Sequence, residues 1–125
     1  MNSKNSLFSA EERVNMIRLV IKDKPNVKVE AFHGLLIEYA DQKEADTIVR
    51  GLRAVTDFEY ELQMAQTNHK INPNVDTIFF TTNVEYAYLS SSIVREIATY
   101  HGDITSFVPE EIVSIVNKKC RKIKK

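Results

Sequence analysis

The sequence predicts an α/β fold, a parallel sheet flanked by helices, on three observations. Short runs rich in β-branched and aromatic residues alternate with segments of helical periodicity. Those helical segments run to about ten residues or more, long enough for right-handed crossovers between parallel strands. Turn residues, namely Pro25-Asn26, Gly34, Asn72-Pro73-Asn74 and Gly102, fall at the junctions.

In chain order, Ser9-Ala10-Glu11-Glu12 is a capping box, and Val14, Ile17, Val20 and Ile21 follow at helical spacing. This predicts a helix over residues 9–22. Pro25-Asn26 turns the chain into Val27-Lys28-Val29-Glu30-Ala31-Phe32, whose alternation predicts a first strand that Gly34 ends. Residues 35–44 read as a helix, 46–50 as the second strand and 57–70 as a helix opened by Asp57. After the Asn72-Pro73-Asn74 turn, residues 77–81 read as the third strand. A helix over residues 90–100 is closed by Gly102, and Pro109-Glu110-Glu111 opens a last helix toward Lys122. No repeat or linker interrupts this order, so residues 1–125 are expected to form one domain.

Composition narrows the class. Hydrophobic residues make up 43% and charged residues 27%, the balance of a globular protein with one core. No apolar run is long enough to span a membrane, and Met1 to Ser6 lacks a signal-peptide core, so a cytoplasmic protein without a membrane partner is expected. The single Cys120 has no companion ligands and reads as an incidental thiol. The zero net charge hides an asymmetry. The last eight residues carry six basic groups, leaving 11 basic against 17 acidic residues before them. Such an end complements a helix dipole, and no aromatic residue interleaves it for stacking on bases, so nucleic acid is not expected as a partner.

In parallel sheets ligands sit beyond the carboxyl ends of the strands. There the sequence places Arg50-Gly51-Leu52-Arg53, two planar cations around a glycine, between a strand and a helix. A guanidinium grips phosphate oxygens in a bidentate fork, and Gly admits close backbone approach. The same residues in an isolated surface turn would be merely solvated; their place at a strand end favours a phosphate. The next strand end leads into Ser90-Ser91-Ser92 at a helix start, where hydroxyls and free N–H groups either cap the helix or bind an anion. Glu59 and Glu61 cannot share a helix face and make a poor acid/base pair; one of them can accept from a ribose hydroxyl. His33, His69 and His101 fall in no metal-ligand spacing, so no protein-built metal site is expected. There is no Walker loop or glycine fingerprint. The residues alone therefore describe an α/β domain that binds phosphorylated ligands through Arg50, Arg53 and the helix start at Ser90 to Ser92.

Taken together, Ser3-Lys4, Leu7-Phe8-Ser9, Glu11-Glu12-Arg13, Gly34-Leu35-Leu36, the block Arg50-Gly51-Leu52-Arg53-Ala54-Val55-x-Asp57-Phe58-Glu59-Tyr60-Glu61, Asn68 and Leu89-Ser90-Ser91-Ser92-x-Val94-x-Glu96 resemble bacterial phosphopantetheine adenylyltransferases of the nucleotidyltransferase superfamily. The resemblance runs from Met1 to the last helix and implies a Rossmann-like sheet. It also implies transfer of AMP from ATP to 4'-phosphopantetheine, giving dephospho-coenzyme A and pyrophosphate, with Mg²⁺ as cofactor and a hexameric assembly. Carried over by motif, Lys4 and Arg50 hold the phosphate of phosphopantetheine, Leu35, Leu36 and Asn68 line its arm, and Glu96 lies nearby. Gly51, Leu52, Arg53 and Glu61 take ATP, with Tyr86, Ala87, Tyr88, Leu89, Ser90, Ser91 and Ser92 around its base and phosphates; Lys4 and Arg53 serve the reaction itself. Such chemistry asks for cations and hydroxyls that align two phosphates, with no covalent nucleophile.

The sequence departs from the family pattern in two places. Ala87 stands where relatives carry a hydroxyl residue. The family's T-x-G-H helix and its first two strands, central in the order 3-2-1-4-5, precede the position of Met1, and none of the three histidines stands in a T-x-G-H setting. The strand at residues 27–32 is then expected to lack its neighbour, while those at 47–50 and 77–81 can still pair. Met1 is accordingly expected to be an internal methionine of a longer enzyme; a non-catalytic remnant that binds phosphopantetheine or coenzyme A is the alternative.

Overall fold

The computed structural model describes residues 6–54 and 56–123, so Lys4 lies outside the described residues. The elements are α1 (Ala10–Val20), α2 (Leu36–Gln42), β1 (Thr47–Leu52), α3 (Phe58–Ile71), β2 (Asp76–Thr81), a 3₁₀ turn (Val84–Tyr86), α4 (Ser91–Thr99) and α5 (Glu110–Ile123). They form an α/β protein with a parallel sheet flanked by helices. The chain divides into two compact units, Phe32–Leu89 on one hand and Met1–Ala31 with Ser90–Lys125 on the other.

In the continuous unit, β1 and β2 pair in parallel from Thr47 opposite Asp76 to Leu52 opposite Thr81, with α3 as the crossover. Strand periodicity sends Ile48, Arg50 and Leu52 to one face and Val49 and Gly51 to the other. The first face is covered: α3 packs on β2, and Phe58 meets Phe79 edge-on at 5.9 Å between ring centres. The core beneath it joins Ile37 and Ala40 of α2 to Ile48 and Val75, with Leu36 packed against them. The second face is open, with Val49, Ile78 and Phe80 all exposed.

In the other unit, α5 packs against α4 and α1. Val94, Ala98, Ile104, Val116 and Cys120 are buried there. The capping box forms as read: the Ser9 hydroxyl accepts from the Glu12 N–H at 3.1 Å, and the Ser9 N–H donates to Glu12 Oε1 at 2.8 Å. Lys119 then reaches from α5 to Glu12, with Nζ 2.9 Å from Oε2.

Two sequence readings need correction. Residues 27–32 form no strand; they run without regular structure, because a strand needs a paired neighbour and the described sheet pairs only β1 with β2. Phe32 instead stacks on Tyr39 of α2 at 4.3 Å. The second strand runs past Arg50 to Leu52, so Gly51 is a ladder residue opposite Phe80, not the turn of a loop. Gly34 is the glycine that needs its freedom, at φ 103° just before α2.

Candidate active site

The two arginines sit at the carboxyl end of β1 but do different work. Arg50 points to the covered face, where Nε and one terminal nitrogen donate to the two carboxylate oxygens of Glu61 at 2.8 and 2.9 Å. Asp57 caps α3 by accepting from the Tyr60 N–H at 3.1 Å, which fixes the helix start and brings Glu61, in its first turn, over Arg50. The Glu61 side chain is only 12% exposed, whereas Arg50 keeps 47%. The hydrogen bonds from Arg50 hold the Glu61 carboxyl below its usual range, and the same bonds raise the already high Arg50. The pair is ionised at neutral pH.

Arg53 stands past the strand, at the mouth of the loop. Its N–H donates to Thr56 Oγ1 at 3.0 Å, and its guanidinium donates to the carbonyl of Leu89. The Ala54 N–H donates to the Ala87 carbonyl at 2.8 Å, and the Thr82 N–H to the Leu52 carbonyl at 3.1 Å. Two segments far apart in sequence, 50–54 and 82–89, are thereby laced together at the end of the sheet. Within the second, the 3₁₀ turn leaves Tyr86 and Ala87 half-buried and Tyr88 exposed. A Cβ at Gly51 would meet no atom within 4 Å, so the surface beside this lacing is open.

The remaining predicted residues fall as follows. Leu35 is exposed at the start of α2, and Leu36 packs on the core. Asn68 is buried on α3 and lies seven residues beyond Glu61, on the same helix stripe and about 10 Å along the axis. Ser90 caps α4, its hydroxyl accepting from the Ile93 N–H at 3.3 Å. Ser91 and Ser92 are exposed in its first turn, and Glu96 is exposed further along. Ser91 also lines a cleft of about 360 Å³ with Phe8, Arg13 and Arg95. The structure thus brings Gly51, Leu52 and Arg53 together with Tyr86 to Leu89, and Arg50 together with Glu61, while Ser90, Ser91, Ser92 and Glu96 share one helix of the other unit.

Sequence reading missed Thr56 and the Leu89 carbonyl as partners of Arg53. A backbone acceptor leaves no mark in the sequence, but Thr56, three residues on, was a legible turn signal. It also set Glu61 facing ATP without foreseeing that Arg50 occupies both its oxygens.

The cytidylyltransferase-like family model matches residues 1–97. The phosphopantetheine adenylyltransferase of Lachnoclostridium phytofermentans is 58% identical over 118 residues, covering 94% of this chain and 72% of the relative. Those of Alkaliphilus metalliredigens and Caldanaerobacter subterraneus subsp. tengcongensis are 50% and 49% identical, each over at least 94% of this chain and 74% and 75% of the relative. With that similarity joined to a parallel strand that ends in the laced Arg-Gly-Leu-Arg segment, the chain belongs to the phosphopantetheine adenylyltransferase family of cytidylyltransferase-like enzymes.

Proposed function

We propose that this chain transfers AMP from ATP to 4'-phosphopantetheine, giving dephospho-coenzyme A and pyrophosphate. The observation that carries the reading is the Arg50 to Ala54 segment, tied to residues 87–89 at the carboxyl end of a parallel strand in a chain of this family. In the reaction a phosphate oxygen of phosphopantetheine attacks the α-phosphorus of ATP, and the bond to the pyrophosphate oxygen breaks. Arg50 takes the acceptor phosphate, while Leu35, Leu36 and Asn68 of the same unit receive the pantetheine arm. Gly51, Leu52 and Arg53 take the ATP phosphates; Tyr86, Ala87, Tyr88 and Leu89 lie around its base. Arg53 neutralises charge that grows as the phosphorus passes between oxygens.

Mg²⁺ belongs to this proposal only as a companion of ATP. Among the described residues no three carboxylates, histidines or cysteines could hold a metal, and Glu61 is taken up by Arg50. The side chains do not fit a protein-built cage, so the ion is proposed to arrive on the nucleotide phosphates, as Mg²⁺ commonly does. A single catalytic domain, a hexameric assembly and a cytoplasmic location complete the proposal. No helix among the described residues is long and apolar enough to cross a membrane.

The test is pyrophosphate release from ATP and 4'-phosphopantetheine. Arg53→Ala should lower kcat/KM about a hundredfold, the scale of a lost charge-stabilising donor, while the melting temperature shifts little. A comparable collapse of folding would show that Arg53 is structural.

A further inference from the structure

Arg53 is the first residue past β1, and the ladder that holds Arg50 opposite Phe79 ends one step before it, at Leu52 opposite Thr81. Something other than the ladder must therefore set the direction in which the Arg53 side chain leaves the backbone. Thr56 does so. The Arg53 N–H donates to Thr56 Oγ1 at 3.0 Å, and the Thr56 N–H donates back to the Arg53 carbonyl at 2.9 Å. Both backbone polar groups of Arg53 thus close on one residue, half-buried while Arg53 itself is exposed. The far end of the arginine is held as well, by the Leu89 carbonyl. Ordering a backbone residue costs conformational entropy, and the closed turn meets that cost on folding instead of when a ligand arrives. We infer that Thr56 is a positioning residue for the nucleotide, acting through the Arg53 backbone: its hydroxyl aims the guanidinium at the ATP phosphates in advance.

This rests on the proposed function, in which Arg53 takes those phosphates. A threonine just past a strand end also serves simply to shape a turn. The two roles predict different losses. The bond lies at the surface, so an Arg53 N–H that loses the hydroxyl turns to water and folding suffers little. A guanidinium no longer pre-aimed, however, meets phosphate less well. A turn that merely holds the fold lowers the share of competent molecules, which reduces kcat and leaves both KM values in place. A misdirected Arg53 raises the KM for ATP and spares that for 4'-phosphopantetheine.

The experiment measures ATP binding by calorimetry and turnover by pyrophosphate release in wild type, Thr56→Val, Thr56→Ser, Arg53→Ala and the variant that combines Thr56→Val with Arg53→Ala. Thr56→Val removes the acceptor and keeps the branched shape. It should weaken the Kd for ATP about fivefold, raise the KM for ATP to match and change the acceptor KM less than about twofold. Thr56→Ser, which keeps the hydroxyl, should stay within about twofold of wild type. In the Arg53→Ala background Thr56→Val should cost less than about a further twofold, because its route to the nucleotide is gone. Thr56→Ala carries the same expectations where the valine variant fails to fold. An unchanged ATP Kd in the folded variant without the hydroxyl, a loss in Thr56→Ser as large as in Thr56→Val, or losses that multiply in the double variant would each overturn the inference and leave the proposed function standing. ATP binding that follows the hydroxyl in a protein without turnover would uphold the inference and overturn the proposed reaction; no ATP binding by the wild type would overturn both.

Discussion

Arg50 and Arg53 are three residues apart and carry the same cation, yet one is held by a carboxylate and the other by a backbone carbonyl. That difference sets how each responds to acid. Glu61 is held below its ordinary value of 4.5 by the hydrogen bonds from Arg50. Glu12 is lowered by the Ser9 N–H and then by Lys119, and Asp103 by the Thr105 N–H. A carboxyl lowered in the folded state binds its proton more readily when unfolded, so its contribution is present above the unfolded value and lost as pH falls through the folded one. Denaturant unfolding should accordingly show stability level near neutrality and falling below about pH 5, with a shallower fall in Glu61→Gln. An identical acid slope in the variant would mean that the pair adds nothing to folding. The Arg50–Glu61 pair was not legible beforehand, because the two residues are 11 apart and meet only through the strand-to-helix turn. The place of the two arginines at the carboxyl end of a strand was legible, because two guanidinium groups around a glycine stand out there, although the strand runs on through Leu52.

At the level of elements, helix starts were read well because their signals are local: Ser9, Asp57 and Ser90 each cap a helix through a side-chain oxygen. Helix ends were read less well. Gly102 was expected to stop α4, but the left-handed residue is His101, at φ 65°. The His101 N–H returns to Ala98 and the Gly102 N–H to Ile97, a Schellman closure in which Gly102 lies so near Ile97 that an added Cβ would fall 2.5 Å from its Cγ2. The end of α2 repeats the pattern, with Glu44 at φ 56° and the N–H groups of Glu44 and Ala45 returning to Asp41 and Ala40. Two exposed non-glycine residues therefore carry left-handed strain. Glu44→Gly and His101→Gly should each raise unfolding free energy by about 0.5–1 kcal/mol in chemical denaturation. Gly102→Ala, by contrast, should destabilise. The strand misread at residues 27–32 belongs to this scale too. Alternation shows that a segment suits a sheet, but pairing is a property of its neighbours.

For the molecule as a whole, the α/β class and the parallel pairing of β1 with β2 followed from the alternation of elements, whereas the division into two units did not. That division depends on long-range contacts, which no local pattern encodes. The core of the continuous unit is small, and Ile37, 1% exposed, is at its centre with Ala40, Ile48 and Val75. Ile37→Ala should cost about 2–4 kcal/mol, and amide exchange in β1 and β2 should accelerate. A loss below about 1 kcal/mol would mean that the surrounding side chains collapse into the space.

The two units also differ in how their sequence is arranged in time. Phe32–Leu89 is one uninterrupted stretch, so a growing chain can complete that unit while later residues are still unmade. The other unit joins α1 to α5, and its Glu12–Lys119 ion pair spans 107 residues of chain. During synthesis α1 is made well before α5 and waits for its partner, with its apolar positions open to whatever else is nearby.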